Sequence, residues 1–270
     1  MSQVLTRRCF VALSGACTVI ATGVSAAADG LAGSVERNAL TFGLVQSALW
    51  PVDPQHARVD LQRNAERMAE TIRAIGPRCE WLAFHDRALT GGTPLASLST
   101  HAVSTDLLDA LFDIIAAAAK STSCWVSFGA PVVGVTGSAS RGDEVPVACS
   151  PRGEHFHGPW IDSSLGRVGL AIGEPSSSMI AEAQREPTLA IITMIAGPRP
   201  ARPASTSGAH GARAAHGTPL LEVSAAHADL QLDCPTQWLG GTTAFDETGK
   251  LLGRCAGSSE ETLLVALRPL

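Results

Sequence analysis

A chain of 270 residues suits one large domain or two small ones, and with 45% hydrophobic and 17% charged residues it carries enough apolar surface to offset chain entropy, which excludes wholesale disorder. A net charge of -5, a pI near 5.9 and the lack of any lysine or arginine stripe exclude the electrostatic footprint of a nucleic-acid binder. Residues 1–28 read as a targeting segment: Thr6-Arg7-Arg8-Cys9-Phe10 sets an arginine pair directly before an apolar run, as in a bacterial twin-arginine signal. The run from Phe10 to Val24 is diluted by Ser14, Gly15, Thr18, Thr22 and Gly23, too mild for the stretch of about 20 apolar residues that spans a bilayer. Small residues from Ser25 to Ala28 offer cuts after Ala26 or Ala28. The expected product is a mature domain of residues 29–270 without a membrane span, periplasmic or secreted. A lipid attachment at Cys17 is the variant reading, but the apolar run continues past it. The mature part keeps Cys79, Cys124, Cys149, Cys234 and Cys255, with no CxxC spacing to suggest a zinc site or disulfide framework.

The elements then follow in order. Ala39 to Gln46 is a short apolar run that predicts a buried strand. Leu61, Met68, Ile72 and Ile75 recur at helical spacing, predicting a helix over 59–75 with Asp60 as cap and Gly76-Pro77 as stop. Trp81 to Phe84 is a second strand, Thr105 to Lys120 a second helix, and Ser123 to Ala130 a third strand. The stretch from Pro131 to Asp162 is rich in glycine and proline and reads as strand fragments and loops. Gly166 to Ile172 and Thr188 to Ile195 are strands, with a helix from Ser178 to Arg185 between them. Gly197 to Gly217 is low in complexity and reads as a surface excursion. Leu220 to Ser224 is a strand, 241–253 a hairpin around Asp246-Glu247-Thr248-Gly249, and Thr262 to Leu267 a closing strand. The alternation of strand and helix gives an α/β protein with helices outside the sheet.

Four segments in order resemble the nitrilase and amidase (carbon–nitrogen hydrolase) superfamily. They are ALTFGLVQ with the helix and strand ending Phe84-His85-Asp86, then CWVSFGA, then GRVGLAIGEPSSSMIAEAQREPTLAIITMI, and last WLGGTTAFDETGKLLGRCAGSSEETLLVALRPL. The resemblance covers most of 39–270. It implies the family's four-layer α-β-β-α sandwich, assembly as a homo-oligomer, an amide or nitrile-like small-molecule ligand, and no cofactor or metal.

The family's reaction uses a cysteine thiolate, a glutamate that moves protons and a lysine that stabilises the oxyanion. The chain departs at each. After the strand GRVGLAI, where the resemblance puts the cysteine, stands Gly173, which has no side chain to form a covalent intermediate. The only lysines are Lys120 and Lys250, neither in the loop expected over 145–154, where Arg152 is the one cation. The proton-transfer position is Asp86, one methylene short of glutamate, and Glu154 falls near the family's second glutamate. Glu174 and Ser176 to Ser178 read as the acidic start and the caps of a helix.

Three functions are therefore carried forward. The first is an exported amidase-fold protein whose catalysis is lost and which binds a small molecule or partner. The second is a living amide hydrolase using Asp86 with another nucleophile, Cys149 or Ser176. The third is a periplasmic metal-binding or structural protein in which His155 and His157 converge with His85-Asp86.

Overall fold

The computed structural model describes residues 39–93, 103–131, 144–195, 217–226, 241–255 and 259–268; the targeting segment, Cys234 and most of the low-complexity stretch lie outside them. Strand β1, Leu40–Gln46, leads into helix α1, Ala57–Ile75, whose buried Leu61, Ala65, Met68, Ala69 and Ile72 form one stripe. The helix starts before the expected Asp60. Its N-cap position is His56, without a side-chain cap, while Asp60 sits in the first turn and accepts from Asp53 N (3.0 Å) and Arg63 Nη1 (2.8 Å). A 3₁₀ turn, Gly76–Arg78, stops it as the Gly-Pro pair foretold. Strand β2, Trp81–Phe84, is wholly buried. Helix α2, Thr105–Thr122, is capped by Ser104 Oγ, which accepts from Leu107 N at 3.2 Å, and ends at Ser123 with a left-handed φ of 57°.

Strand β3, Trp125–Pro131, is followed by the region expected as strand fragments and loops, where the described fragments are β4, Glu144–Cys149, β5, His155–His157, and β6, Trp160–Ser163. Strand β7, Gly166–Ile172, helix α3, Ser177–Ala183, and strand β8, Ala190–Ile195, come next. Then follow β9, Leu220–Ser224, β10, Thr243–Phe245, β11, Leu251–Arg254, and β12, Glu261–Leu267.

The strands form two six-stranded sheets, ordered β12-β1-β2-β3-β4-β5 and β11-β10-β9-β8-β7-β6. Strands β1, β2 and β3 run parallel in the first, as do β7, β8 and β9 in the second. Because strand side chains alternate, each sheet presents two faces, and three apolar clusters follow. Val45, Leu82, Phe84, Val126, Phe128 and Val147 meet α1 and α2. Phe42, Leu44, Trp81 and Ala83 meet Val168, Leu170, Ile192, Met194 and Val223 between the sheets. Ile191, Leu220 and Phe245 meet Met179 and Ala183 of α3. This is the expected α-β-β-α layering. Trp81 and Trp125 stack at 5.2 Å in the middle, and burying each such side chain is worth about 2–3 kcal/mol. None of the described helices is long and apolar enough to cross a membrane.

Candidate functional site

The carboxyl ends of the parallel strands in both sheets point the same way, and two hydrogen bonds, one between backbones and one to a side chain, sew them together. Ala226 N, just past β9, donates to Ser47 O just past β1 at 2.8 Å, and Thr242 N donates to Gln46 Oε1 at 3.2 Å. Side chains that follow β1, β2 and β7 therefore gather at one rim, the position at which α/β sheets bind ligands.

After β2 the chain makes a tight turn carrying His85, Asp86 and Arg87. Its height is set by β3: a Cβ on Gly129 would lie 2.3 Å from Asp86 O, so only glycine lets the turn approach. Arg87 N donates to Asp86 Oδ1 at 3.1 Å. Further along, Asn64 of α1 donates through Nδ2 to Trp50 O and Leu89 O, both at 3.0 Å, pinning two loops of the rim. His85 is fully buried with Nε2 3.0 Å from Ser47 Oγ. Burial pushes its imidazole down to about 4, with the Ser47 and Ala48 backbone opposing, so the ring is neutral at pH 7.

Glu144, at the start of β4, belongs to this rim although nothing in the sequence singled it out. Thr90 Oγ1 donates to its Oε1 at 2.8 Å. Burial first, and then the charge of Asp86, push the Glu144 carboxyl up to about 8, so it holds its proton at neutral pH beside Asp86.

Across the rim, β7 ends at Gly173, which has φ +74° and donates N–H to Met194 O at 2.9 Å. A Cβ built there would meet nothing within 4 Å. Ser176 is the N-cap of α3, its Oγ accepting from Met179 N at 3.1 Å, so this hydroxyl serves the helix, as the cap reading expected.

Glu154 is not at the rim. The expected loop over 145–154 is strand β4 followed by a hairpin turn in which Ser150 Oγ donates to Glu154 Oε2 at 3.1 Å. Register fixes the distance in kind: Pro131 pairs with Glu144 and Val126 with Cys149, so the turn lies at the amino end of β3 while Asp86 lies at the carboxyl end of β2. Lys120 packs against Gly153 in that same turn, and Lys250 lies in the β10–β11 turn. Cys149 is fully buried in the cluster facing the helices, and desolvation pushes its thiol up to about 12, the opposite of the shift that favours a reactive thiolate. His155 and His157 flank Phe112 at 5.8 and 6.0 Å on strand β5, with β3 and β4 between them and the His85-Asp86 turn. Among the described residues no three His, Cys, Asp or Glu side chains converge as a metal site would need.

Solved structures share this architecture. A cysteine-to-alanine mutant of an amidase from Nesterenkonia AN1, of the nitrilase superfamily, superposes with a TM-score of 0.63 at 19% identity, covering 87% of this chain and 94% of that one. The fold is that of the nitrilase-superfamily amidases. A glutamate-to-glutamine mutant of the same amidase, with the acetamide moiety of fluoroacetamide added covalently at its active-site cysteine, superposes with a TM-score of 0.63 at 18% identity, covering 88% and 94%. The cysteine-to-alanine mutant in complex with butyramide gives 0.61 at 18%, covering 87% and 94%. No protein-family model and no curated protein matches the chain by sequence. In the nitrilase-superfamily fold, then, the rim of this chain holds Asp86, Glu144, Ser47 with His85, and the bare elbow of Gly173.

Proposed function

We propose that this protein binds a small amide or nitrile-like molecule on an amidase fold and has lost the covalent chemistry of that fold. The observation that carries the reading is Gly173: the elbow is formed, with room for a side chain, and no side chain is there. Asp86 takes the position of the proton-transferring acid, one methylene short. Neither lysine stands near it, so an oxyanion would form without a cationic partner of the expected kind. Glu154, in its remote turn, has no part in this site.

Binding needs less than catalysis, and the two acids suffice for it. A protonated Glu144 supplies a donor and the Asp86 carboxyl group an acceptor oxygen, the complement of an amide, which offers a carbonyl oxygen and an N–H. The same reading places the protein outside the cytoplasm, exported by its arginine-pair segment, and as a homo-oligomer, as the sequence resemblance implies.

The deciding experiment is ammonia release from short amides, nitriles and N-carbamyl compounds, with Asp86→Ala alongside. We expect none from wild type, with saturable binding of one or more of the amides by calorimetry. Turnover that disappears in Asp86→Ala overturns the reading. Gly173→Cys sharpens the result: a thiol placed in the open elbow should react with fluoroacetamide much faster than the buried Cys79, Cys124, Cys149 and Cys255, read by peptide mapping, and equal reactivity would show that the elbow does not face a ligand site.

A further inference from the structure

At the opposite end of the first sheet, two cysteines meet. Cys79 lies just before β2 and Cys124 just before β3, and their Sγ atoms are 3.8 Å apart, both reduced and both turned into the helix-facing core. The backbone holds them there. Trp125 N donates to Glu80 O at 2.9 Å, extending the β2–β3 ladder in which Trp81 pairs with Trp125. That register sets Cys124 beside Glu80, one residue along from Cys79. With strands about 4.8 Å apart and a rise of about 3.3 Å per residue, the two α-carbons lie about 6 Å apart, within the span a disulfide bridges. Closing the sulfurs to bonding distance takes a side-chain rotation and small backbone shifts.

We infer that Cys79 and Cys124 are an oxidisable pair, which closes to a disulfide tying the foot of β2 to the foot of β3 when the protein meets a thiol oxidant. Cys79 is the attacking sulfur, because it is the less buried of the two and the one an oxidant reaches first. With glutathione disulfide as oxidant, Cys79 thiolate attacks one glutathione sulfur and releases a glutathione thiolate. Cys124 thiolate then displaces the second glutathione from Cys79. Two protein thiols are oxidised, one glutathione disulfide is reduced to two glutathiones, and the two thiol protons end on them. The export reading supplies an oxidising compartment, but the chemistry is independent of it and of the ligand-binding reading.

The test uses the full chain purified under reducing conditions and then treated with glutathione disulfide, once as folded and once in urea below the unfolding transition, so that burial does not decide the outcome. We expect a Cys79–Cys124 linked pair in the non-reduced digest, two fewer titratable thiols per chain, and a Tm raised by roughly 5–10 °C and restored by reductant. Cys79→Ser and Cys124→Ser should each abolish the shift, while Cys149→Ser keeps it. No linked pair in either condition, or linkage of Cys79 or Cys124 mainly to Cys234 or Cys255, overturns the inference.

Discussion

The two sides of the rim differ in what holds them. The turn after β2 is fixed by side chains and close contact: Gly129 beneath it, Asn64 across it, His85 buried against Ser47. The elbow after β7 carries one backbone N–H to Met194 O and a capped helix behind it, with empty space where a side chain at 173 would project. A left-handed residue with a functional side chain is strained, by about 1 kcal/mol or more, and the strain persists only where a function requires it. Glycine at 173 relieves that strain without altering the path of the chain. The acid side has no such freedom, because its residues also hold the two sheets and α1 together.

This contrast is breakable. Gly129→Ala should be the most damaging change, because the added methyl overlaps the Asp86 backbone; about 3 kcal/mol is expected, seen as a Tm lower by about 10 °C together with weaker ligand binding. Asn64→Ala leaves two carbonyls without their donor and should cost about 2–3 kcal/mol in a urea titration, with the slope of the transition unchanged.

The pH dependence of stability separates the two buried titrating groups. Glu144 has its folded value raised from 4.5 to about 8, so its contribution is full below 4.5 and is lost as pH rises to 8; Glu144→Gln should flatten the fall in stability on that alkaline side. His85 has its folded value lowered from 6.5 to about 4, so its contribution is full above 6.5 and is lost as pH falls to 4; His85→Gln should flatten that acid limb. Between 4.5 and 6.5 the two slopes oppose each other, and wild type should be nearly level there. Denaturant midpoints at half-unit steps from pH 4 to 9 check both signs.

The elbow should be the gentlest site. Gly173→Ala meets no neighbour and should cost only about 1 kcal/mol from its φ, with binding little changed; a loss comparable to Gly129→Ala would mean that the elbow is packed against something essential.

The elements that were legible in the sequence are those with a strong period. The stripe of Leu61, Met68 and Ile72 and the apolar runs of β1, β7 and β8 show directly in residue order, and so does the hairpin around Asp246. Strands β4 to β6 showed only as fragments without bounds or direction, since Pro146, Gly158 and Pro159 break their pattern. The register matters for the site as well: because β4 runs antiparallel to β3, Glu144 and not Glu154 lies at the end of the sheet that carries Asp86, and residue order within 145–154 does not show that direction. Asp86 and Gly173 stood out because each follows a well-marked strand. Ser47 did not, and His85 was picked out only as a companion of His155 and His157, because a buried hydroxyl–imidazole bond between two strand ends has no local signature.

The pairing of β12 with β1 carries a consequence for synthesis. Leu40 lies opposite Leu267 and Gln46 opposite Glu261, so the strand made first among those described waits, with one side unpaired, for the strand made last. A nascent chain stalled before residue 261 exposes the full length of β1 as a ready template for another chain, and ribosomes crowded on one message would hold several such templates close together. Synthesis and docking of β12, rather than the growth of the core, is then the event that covers this edge of β1.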